Sequence, residues 1–354
     1  MVPVVDLRRR GQRFSSAFAE VAERIASGGS ILLGPELSAF EQELASSLHA
    51  RHAVGVSSGA SALQLALAAL GIGSGDEVIV PAFTAVPTAA AVAATGAVPV
   101  MVDVDPGTAC IDAGLIAGSR TVRTKAVLVV HLYGYRCELP ETDLLVIEDA
   151  AQAHGALASS AGSAATAYSF YPTKNLGGIG DGGAVVTDDD HLADTVRRLR
   201  VHGMTAQYVH EEISQNFRMS ELEAAWLRLG LSELPADVER RRRIARRQRE
   251  TARDLRWQPD HADHAYHLSV FRTRHRAAVQ ALLAEHGVAS AIHYPLAVTQ
   301  QPAYSSLARA ACPHAEAWAA ECVSVPCFPE MTDAEVDQVN AALVDVSERQ
   351  GFDQ

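Results

Sequence analysis

VGVSSGASALQLALAALG, residues 54–71, joins a short β-branched run to an Ala/Leu-rich one through Ser57, Ser58 and Gly59. VGV reads as a strand, the serines can cap a helix and Gly71 can end it. A strand that turns straight into a helix also makes an anion-binding geometry, because the first N–H groups of a helix have no acceptor within it.

The same alternation continues outward from this segment. Further strands are predicted at 77–80 (EVIV), 98–104 (VPVMVDV), 125–134 (KAVLVVHLYG), 144–149 (LLVIED), 167–171 (AYSFY) and 183–187 (GAVVT). Most are continuous apolar runs, the signature of strands buried on both faces. The expectation is an α/β fold, with a mostly parallel seven-stranded sheet between helices. A very basic helical stretch, Val238 to Arg256, precedes a turn at WQPD and a new strand-like run at 266–273 (YHLSVFRT). This places a domain boundary near Leu234 and Pro235, with a large domain over 1–234 and a smaller α+β domain over 235–354. The arginines of 240–249 read as a solvated helix face carrying i,i+4 pairs with Glu239 and Glu250.

Bulk properties narrow the function classes. A chain of 354 residues, 48% hydrophobic, is long enough for two domains. Acidic residues outnumber basic ones 42 to 30, a net charge of −12, which argues against nucleic acid as a partner. Cys110, Cys137, Cys312, Cys322 and Cys327 form no CxxC pair and are odd in number, so neither a disulfide framework nor a thiolate metal site is expected. A cytoplasmic protein follows, with no apolar leader at MVPVVDLRRRGQRF and no run long enough to span a membrane.

Two residues stand out for chemistry. Asp149 closes the apolar run LLVIED, at the strand end where open α/β sheets place ligand-contacting groups. Lys174 lies in SFYPTKNLGGIGDGG (169–183), just after a strand, where Pro172 stiffens the turn and the glycines permit close approach to a flat ligand. Gly178, Gly180 and Gly183 formally satisfy G-x-G-x-x-G, but a strand-like run follows instead of the helix that a dinucleotide site needs. His261, His264 and His267 at i, i+3 and i+6 read as a solvated loop or helix start, not a metal site.

Five separated motifs complete the pattern: GVSSGASAL (55–63), PAFTAVPTAA (81–90), EDAAQAHGA (148–156), SFYPTKNLGGIGDGG, and NFRMSELEAAW (216–226) with HYPLAVTQQPAY (293–304) beyond it. Together they resemble the DegT/DnrJ/EryC1/StrS family of aminotransferases that use pyridoxal 5'-phosphate (PLP), most closely its nucleotide-sugar 3-aminotransferases.

The resemblance implies a fold type I transferase, a homodimer with shared active sites, and PLP cycling through pyridoxamine 5'-phosphate (PMP). It implies an amino-acid donor, L-glutamate, and a nucleotide-linked keto-sugar, a dTDP-3-keto-6-deoxyhexose, as acceptor. Lys174 would bind the cofactor as a Schiff base and move protons. Asp149 would hold the pyridine nitrogen, Gln152 would meet the phenolic oxygen or ring, and Phe83 would stack on the other ring face. Gly59 and Ala60 would offer N–H groups to the phosphate, Ser169 a hydroxyl, and Asn216 would reach it from the neighbouring subunit. His293 and Tyr294 would line the sugar side.

Two departures accompany the resemblance. SGAS carries Ala60 where relatives have a hydroxyl or carboxyl side chain. Residues 135–143 are also too few for a crossover helix, since parallel connections usually need a dozen residues or more. Rival readings are amination at C4 or of a cyclitol ketone, a PMP-dependent dehydratase, which Lys174 disfavours because such enzymes resemble this chain with histidine there, and a non-catalytic regulatory relative.

Overall fold

The computed structural model describes residues 1–156 and 162–349. In chain order the elements are α1 (Leu7–Gly28), α2 (Pro35–Ser47), β1 (His52–Val56), α3 (Gly59–Ala69), β2 (Glu77–Pro81), α4 (Pro87–Ala94), β3 (Val98–Val102), α5 (Ala113–Ser119), β4 (Thr124–Val130), β5 (Leu145–Asp149), β6 (Ala165–Ser169) and β7 (Gly183–Thr187). There follow α6 (Asp190–Leu199), β8 (Met204–Ala206), β9 (Val209–His210), α7 (Glu221–Thr251), β10 (Arg256–Trp257), β11 (Ser269–Arg272), α8 (Arg276–Glu285), α9 (Pro313–Glu321), β12 (Cys322–Val325) and α10 (Asp333–Arg349).

The seven expected strands form one sheet in the order β1-β7-β6-β5-β4-β2-β3. Strands β6, β5, β4, β2 and β3 run parallel, while β7 is antiparallel to both of its neighbours. The apolar runs are continuous because both faces are covered. Along β4, Ala126, Leu128 and Val130 enter the core beneath α3 and α4, whereas Val127 and Val129 enter a second core with Ile79, Val146 and Cys137. On β7, Val185 faces one side while Ala184 and Val186 pack with α2 and α7 on the other.

The connection from β4 to β5 contains a 3₁₀ turn at Leu132–Gly134 and no α-helix, as the length of 135–143 predicts. Tyr135, Cys137, Leu139 and Leu144 cover that face of the sheet instead.

A second sheet, β10-β11-β12, is antiparallel and packs against the apolar faces of α8 and α10. Helix α7 runs without interruption through Pro235, so the chain passes between the two cores inside one helix. Its first half gives Ala224 and Leu227 to the core of the large sheet, and its second half gives Ile244 and Ala245 to that of the small sheet. Of the arginines in that second half, Arg243, Arg246 and Arg247 are exposed, as a solvated face requires. Arg240 and Arg247 pair with Asp333 and Asp337 of α10, at 2.7 and 2.5 Å, and Arg241 is buried.

Candidate active site

The C-terminal ends of the parallel strands open on a cavity of about 490 Å³, within the range of small-molecule sites. Strand β5 brings Asp149 to it, β6 brings Ser169, the turn after β2 brings Thr84 to Pro87, and the start of α3 brings Gly59 and Ala60. Lys174 faces the same space from the loop that follows β6.

Asp149 is buried, and both of its oxygens are engaged. Thr88 donates its hydroxyl to Oδ2 at 2.8 Å, and the Ala151 N–H reaches Oδ1 at 3.1 Å. Thr88 sits one helical turn after Thr84, whose hydroxyl is 3.1 Å away. Gln152 is clamped between two tyrosines: its Oε1 accepts the Tyr133 N–H at 2.5 Å, and its Nε2 donates to the Tyr294 hydroxyl at 3.0 Å. Burial pushes the Tyr294 phenol up to about 12, so it is neutral near pH 7.

The Lys174 loop is fixed by contacts distant in sequence. The Lys174 N–H donates to the Tyr171 carbonyl, and Arg10 of α1 donates to the carbonyls of Pro172 and Lys174 at 2.9 and 3.0 Å. Asn175 Nδ2 donates to the Ala265 carbonyl, and Trp226 Nε1 to that of Gly177. Burial brings the Lys174 ammonium down to about 8, although the Asp149 carboxylate pulls it upward. Burial thereby enlarges the minority of this amine that is unprotonated near neutrality, the form a nucleophile or base needs.

At the cradle, Ser58 caps α3 by accepting the Ser61 N–H at 3.0 Å. A Cβ at Gly59 would lie 2.5 Å from Ser169 Cβ, so only glycine lets the helix start and the end of β6 come this close. The helix N-terminus with Ser169 suits a phosphate, Asp149 suits a protonated ring nitrogen, and Lys174 suits a carbonyl. These residues fit PLP.

Two residues expected at this cavity, Phe83 and His293, lie elsewhere, and Asn216 is the one expected at a neighbouring subunit's cavity. Phe83 is fully buried and stacks on Trp318 of α9 at 6.1 Å; Thr84, Ala85, Val86 and Pro87 line that wall of the cavity in its place. His293 lines a separate, smaller cavity and contacts Ser324 Oγ at 2.9 Å, so only Tyr294 of that pair faces the main one. Asn216 is exposed ahead of α7, its Oδ1 accepting from the Nε of Arg218 at 2.9 Å, and does not line this cavity. Three contributors escaped the sequence reading. Thr88 carried a signal, the i,i+4 spacing from Thr84 in TAVPT; Tyr133 and Arg10 act through a backbone N–H and a contact distant in sequence, and left none.

The model of the DegT/DnrJ/EryC1/StrS aminotransferase family matches residues 13–344. The chain belongs to this family. It is 39% identical to the dTDP-3-amino-3,4,6-trideoxy-alpha-D-glucose transaminase of Streptomyces venezuelae, over 98% of this chain and 97% of that one. It is also 38% identical to a pleiotropic regulatory protein of Geobacillus stearothermophilus, over 96% of each. Among solved structures, S. venezuelae DesV in complex with a ketimine intermediate superposes with a TM-score of 0.93 at 38% identity, covering 98% of this chain and 99% of that one. The ntda structure from Bacillus subtilis with bound cofactor PMP gives 0.90 at 29% identity, covering 98% and 85%. As a DegT/DnrJ/EryC1/StrS member, the protein is a fold type I, PLP-dependent aminotransferase. The helices described include none long and apolar enough to cross a membrane.

Proposed function

We propose that this aminotransferase moves an amino group from L-glutamate to a keto-sugar carried on a nucleoside diphosphate, with a dTDP-3-keto-6-deoxyhexose as the favoured acceptor. The observation that carries the reading is the convergence of Lys174, Asp149 and the Gly59–Ser169 cradle on one cavity. The acceptor rests on the relatives, among them the S. venezuelae transaminase and a UDP-N-acetyl-3-dehydro-alpha-D-glucosamine 3-aminotransferase from Acidithiobacillus ferrooxidans.

Bound PLP supplies the electron sink of the reaction. The chain supplies the rest. Asp149, held by Thr88 and the Ala151 N–H, keeps a negative charge where a ring nitrogen must stay protonated. The α3 N-terminus and Ser169 anchor the phosphate. Lys174 Nζ takes up and returns the proton at the reacting carbon, a role suited to an amine brought down to about 8. Gln152 and Tyr294, bonded to each other, orient the wall facing the sugar. Asn216, exposed near the start of α7, serves the phosphate of a neighbouring subunit in a homodimer.

Amination at C4 and amination of a cyclitol ketone remain rival regiochemistries. The relative named as a regulatory protein makes a non-catalytic role the rival of another class; a binder has no need of an amine poised beside Asp149. The test is the absorbance spectrum of purified protein with PLP, before and after L-glutamate. The expected result is a visible band from lysine-bound cofactor that glutamate bleaches. Lys174→Ala should lose the band and lower turnover by at least about 10²–10⁴-fold, with its circular dichroism unchanged. A Lys174→Ala protein that keeps both band and turnover defeats the assignment.

A further inference from the structure

Beneath the cavity, the large sheet buries a histidine and a carboxylate that the reaction does not touch. His131 directly follows β4, and Glu148 directly precedes Asp149 on β5; both are buried. Side chains alternate along a strand, so these two share the face of Val129 and Val146 while Asp149 enters the cavity on the other. Nε2 of His131 meets Glu148 Oε2 at 2.9 Å, and the Thr166 hydroxyl on β6 donates to Oε1 at 3.2 Å. The Cys137 N–H donates to His131 Nδ1 at 3.0 Å. That bond needs the lone pair of Nδ1, so the ring is neutral and its one proton lies on Nε2, donated to the carboxylate.

The main chain of His131 grips the site as well. Its N–H donates to the Asp149 carbonyl at 3.1 Å, and its carbonyl accepts the Gly134 N–H at 3.1 Å, closing the 3₁₀ turn Leu132–Gly134. Within that turn Tyr133 is held at φ 63°, a left-handed conformation that a bulky residue keeps only where its surroundings impose it. The turn so held delivers the Tyr133 N–H to Gln152 Oε1.

We propose that His131, anchored by Glu148, is a positioning residue that holds Asp149 through β5 and Gln152 through the Tyr133 turn, and so sets the spacing of the two against the cofactor. His131 does not itself line the cavity. The need for such a support follows from the fold: no helix covers the connection from β4 to β5, and the chain there is held by a few apolar side chains and this network. Burying a carboxylate is costly unless hydrogen bonds compensate it, and a buried network whose members are satisfied fixes one arrangement.

This inference rests on the roles given above to Asp149 and Gln152, and the experiment separates the two levels. If wild-type protein with PLP shows no lysine-bound visible band, the reading of the site fails and the inference with it. With the band present, the variants decide. His131→Asn keeps an acceptor near the place of Nδ1 and loses the donor to Glu148; His131→Gln puts an amide nitrogen near the place of Nε2 and keeps that donor. His131→Asn should weaken PLP affinity by about three- to tenfold, the scale of one lost hydrogen bond. It should shift the pH midpoint of the visible band by about half a unit or more, because the charge beside the ring nitrogen has moved. It should also lower kcat on the order of tenfold or more, as small displacements of reacting groups do, with KM for L-glutamate held within about twofold. His131→Gln should recover most of all three. A folded His131→Asn protein with wild-type PLP affinity, band midpoint and kcat, altered only in Tm, overturns the inference. Should that variant fail to fold, Glu148→Gln, of equal size but uncharged, is measured in its place: smaller changes in the same directions support the inference, and wild-type values overturn it.

Discussion

Thr88 donates its hydroxyl to Asp149 in a dry setting, and hydrogen bonds to a charged group contribute about 1.5–3 kcal/mol. If that stabilisation is expressed in the transition state, Thr88→Val lowers kcat/KM roughly ten- to a hundredfold, and Thr88→Ser restores most of it. Steady-state kinetics of the two variants decide the matter, since a merely structural threonine would not distinguish serine from valine in this way. Glu223 offers a pH test. Burial pushes its carboxyl up to about 7, with Asp181 repelling it further, against the Gly180 N–H that donates to Oε2 at 2.9 Å. The ordinary value is 4.5, so the folded state holds this proton more tightly than the unfolded chain does. Its contribution to stability is complete below about 4.5 and is lost as pH rises through about 7. Wild-type Tm should fall across that window, and Glu223→Gln should flatten the fall; identical pH profiles would remove Glu223 as its source. At this scale the sequence showed Lys174 and Asp149, because each closes or follows an apolar strand inside a distinctive motif. It misplaced Phe83, because the direction of a side chain just past a strand end depends on what waits below. Here that is Trp318, more than two hundred residues onward.

Among the elements, the loop from Ser169 to Gly183 is built around backbone approach. A Cβ at Gly177 would overlap the Pro172 carbonyl oxygen and Arg10 Nη1, the pair that fixes the turn carrying Lys174. A backbone carbonyl cannot swing aside as a side-chain tip can, so Gly177→Ala must displace the turn. It should cost about 1–3 kcal/mol of stability and weaken cofactor binding at least tenfold, readable from Tm and from a PLP titration. Unchanged values would show that the glycines serve only flexibility. The strands of the large sheet were legible because burial on both faces leaves a continuous apolar run, whereas the short β8, β9, β10 and β12 were not. The absent helix between β4 and β5 was legible from length alone. Helix α7 was legible in part. Some of its arginines are exposed, as expected, but Pro235 does not interrupt the helix, and the partners of Arg240 and Arg247 are Asp333 and Asp337 of α10. Ion pairs between distant segments leave no periodic trace.

At the scale of the whole molecule, several exposed apolar side chains lie near the start of α7 and on the lysine loop. Ile31, Leu32 and Leu33 lie beside the start of α7, where Leu32 bridges Ser220 and the Glu221 N–H donates to the Ile31 carbonyl at 3.1 Å. Leu222 is exposed close by, and Tyr171 and Ile179 are exposed on the lysine loop. Exposed apolar side chains suit a partner surface, and a second copy of the chain is the partner that would also bring Asn216 to a site it does not reach in its own subunit. A complementation experiment tests both points together. Lys174→Ala and Asn216→Ala proteins, each impaired alone, are unfolded, mixed in equal amounts and refolded. If Asn216 serves across a twofold interface, half of the dimers are mixed, and each mixed dimer holds one site with both lesions and one with neither. Activity should then recover to at most about a quarter of wild type, since one of the two sites works in half of the molecules. If Asn216 acts within its own subunit, every site in the mixture carries a lesion and no activity returns beyond the sum of the separate variants. The exposed apolar surface would then have to be covered by an interface that leaves the cofactor site entirely to one chain.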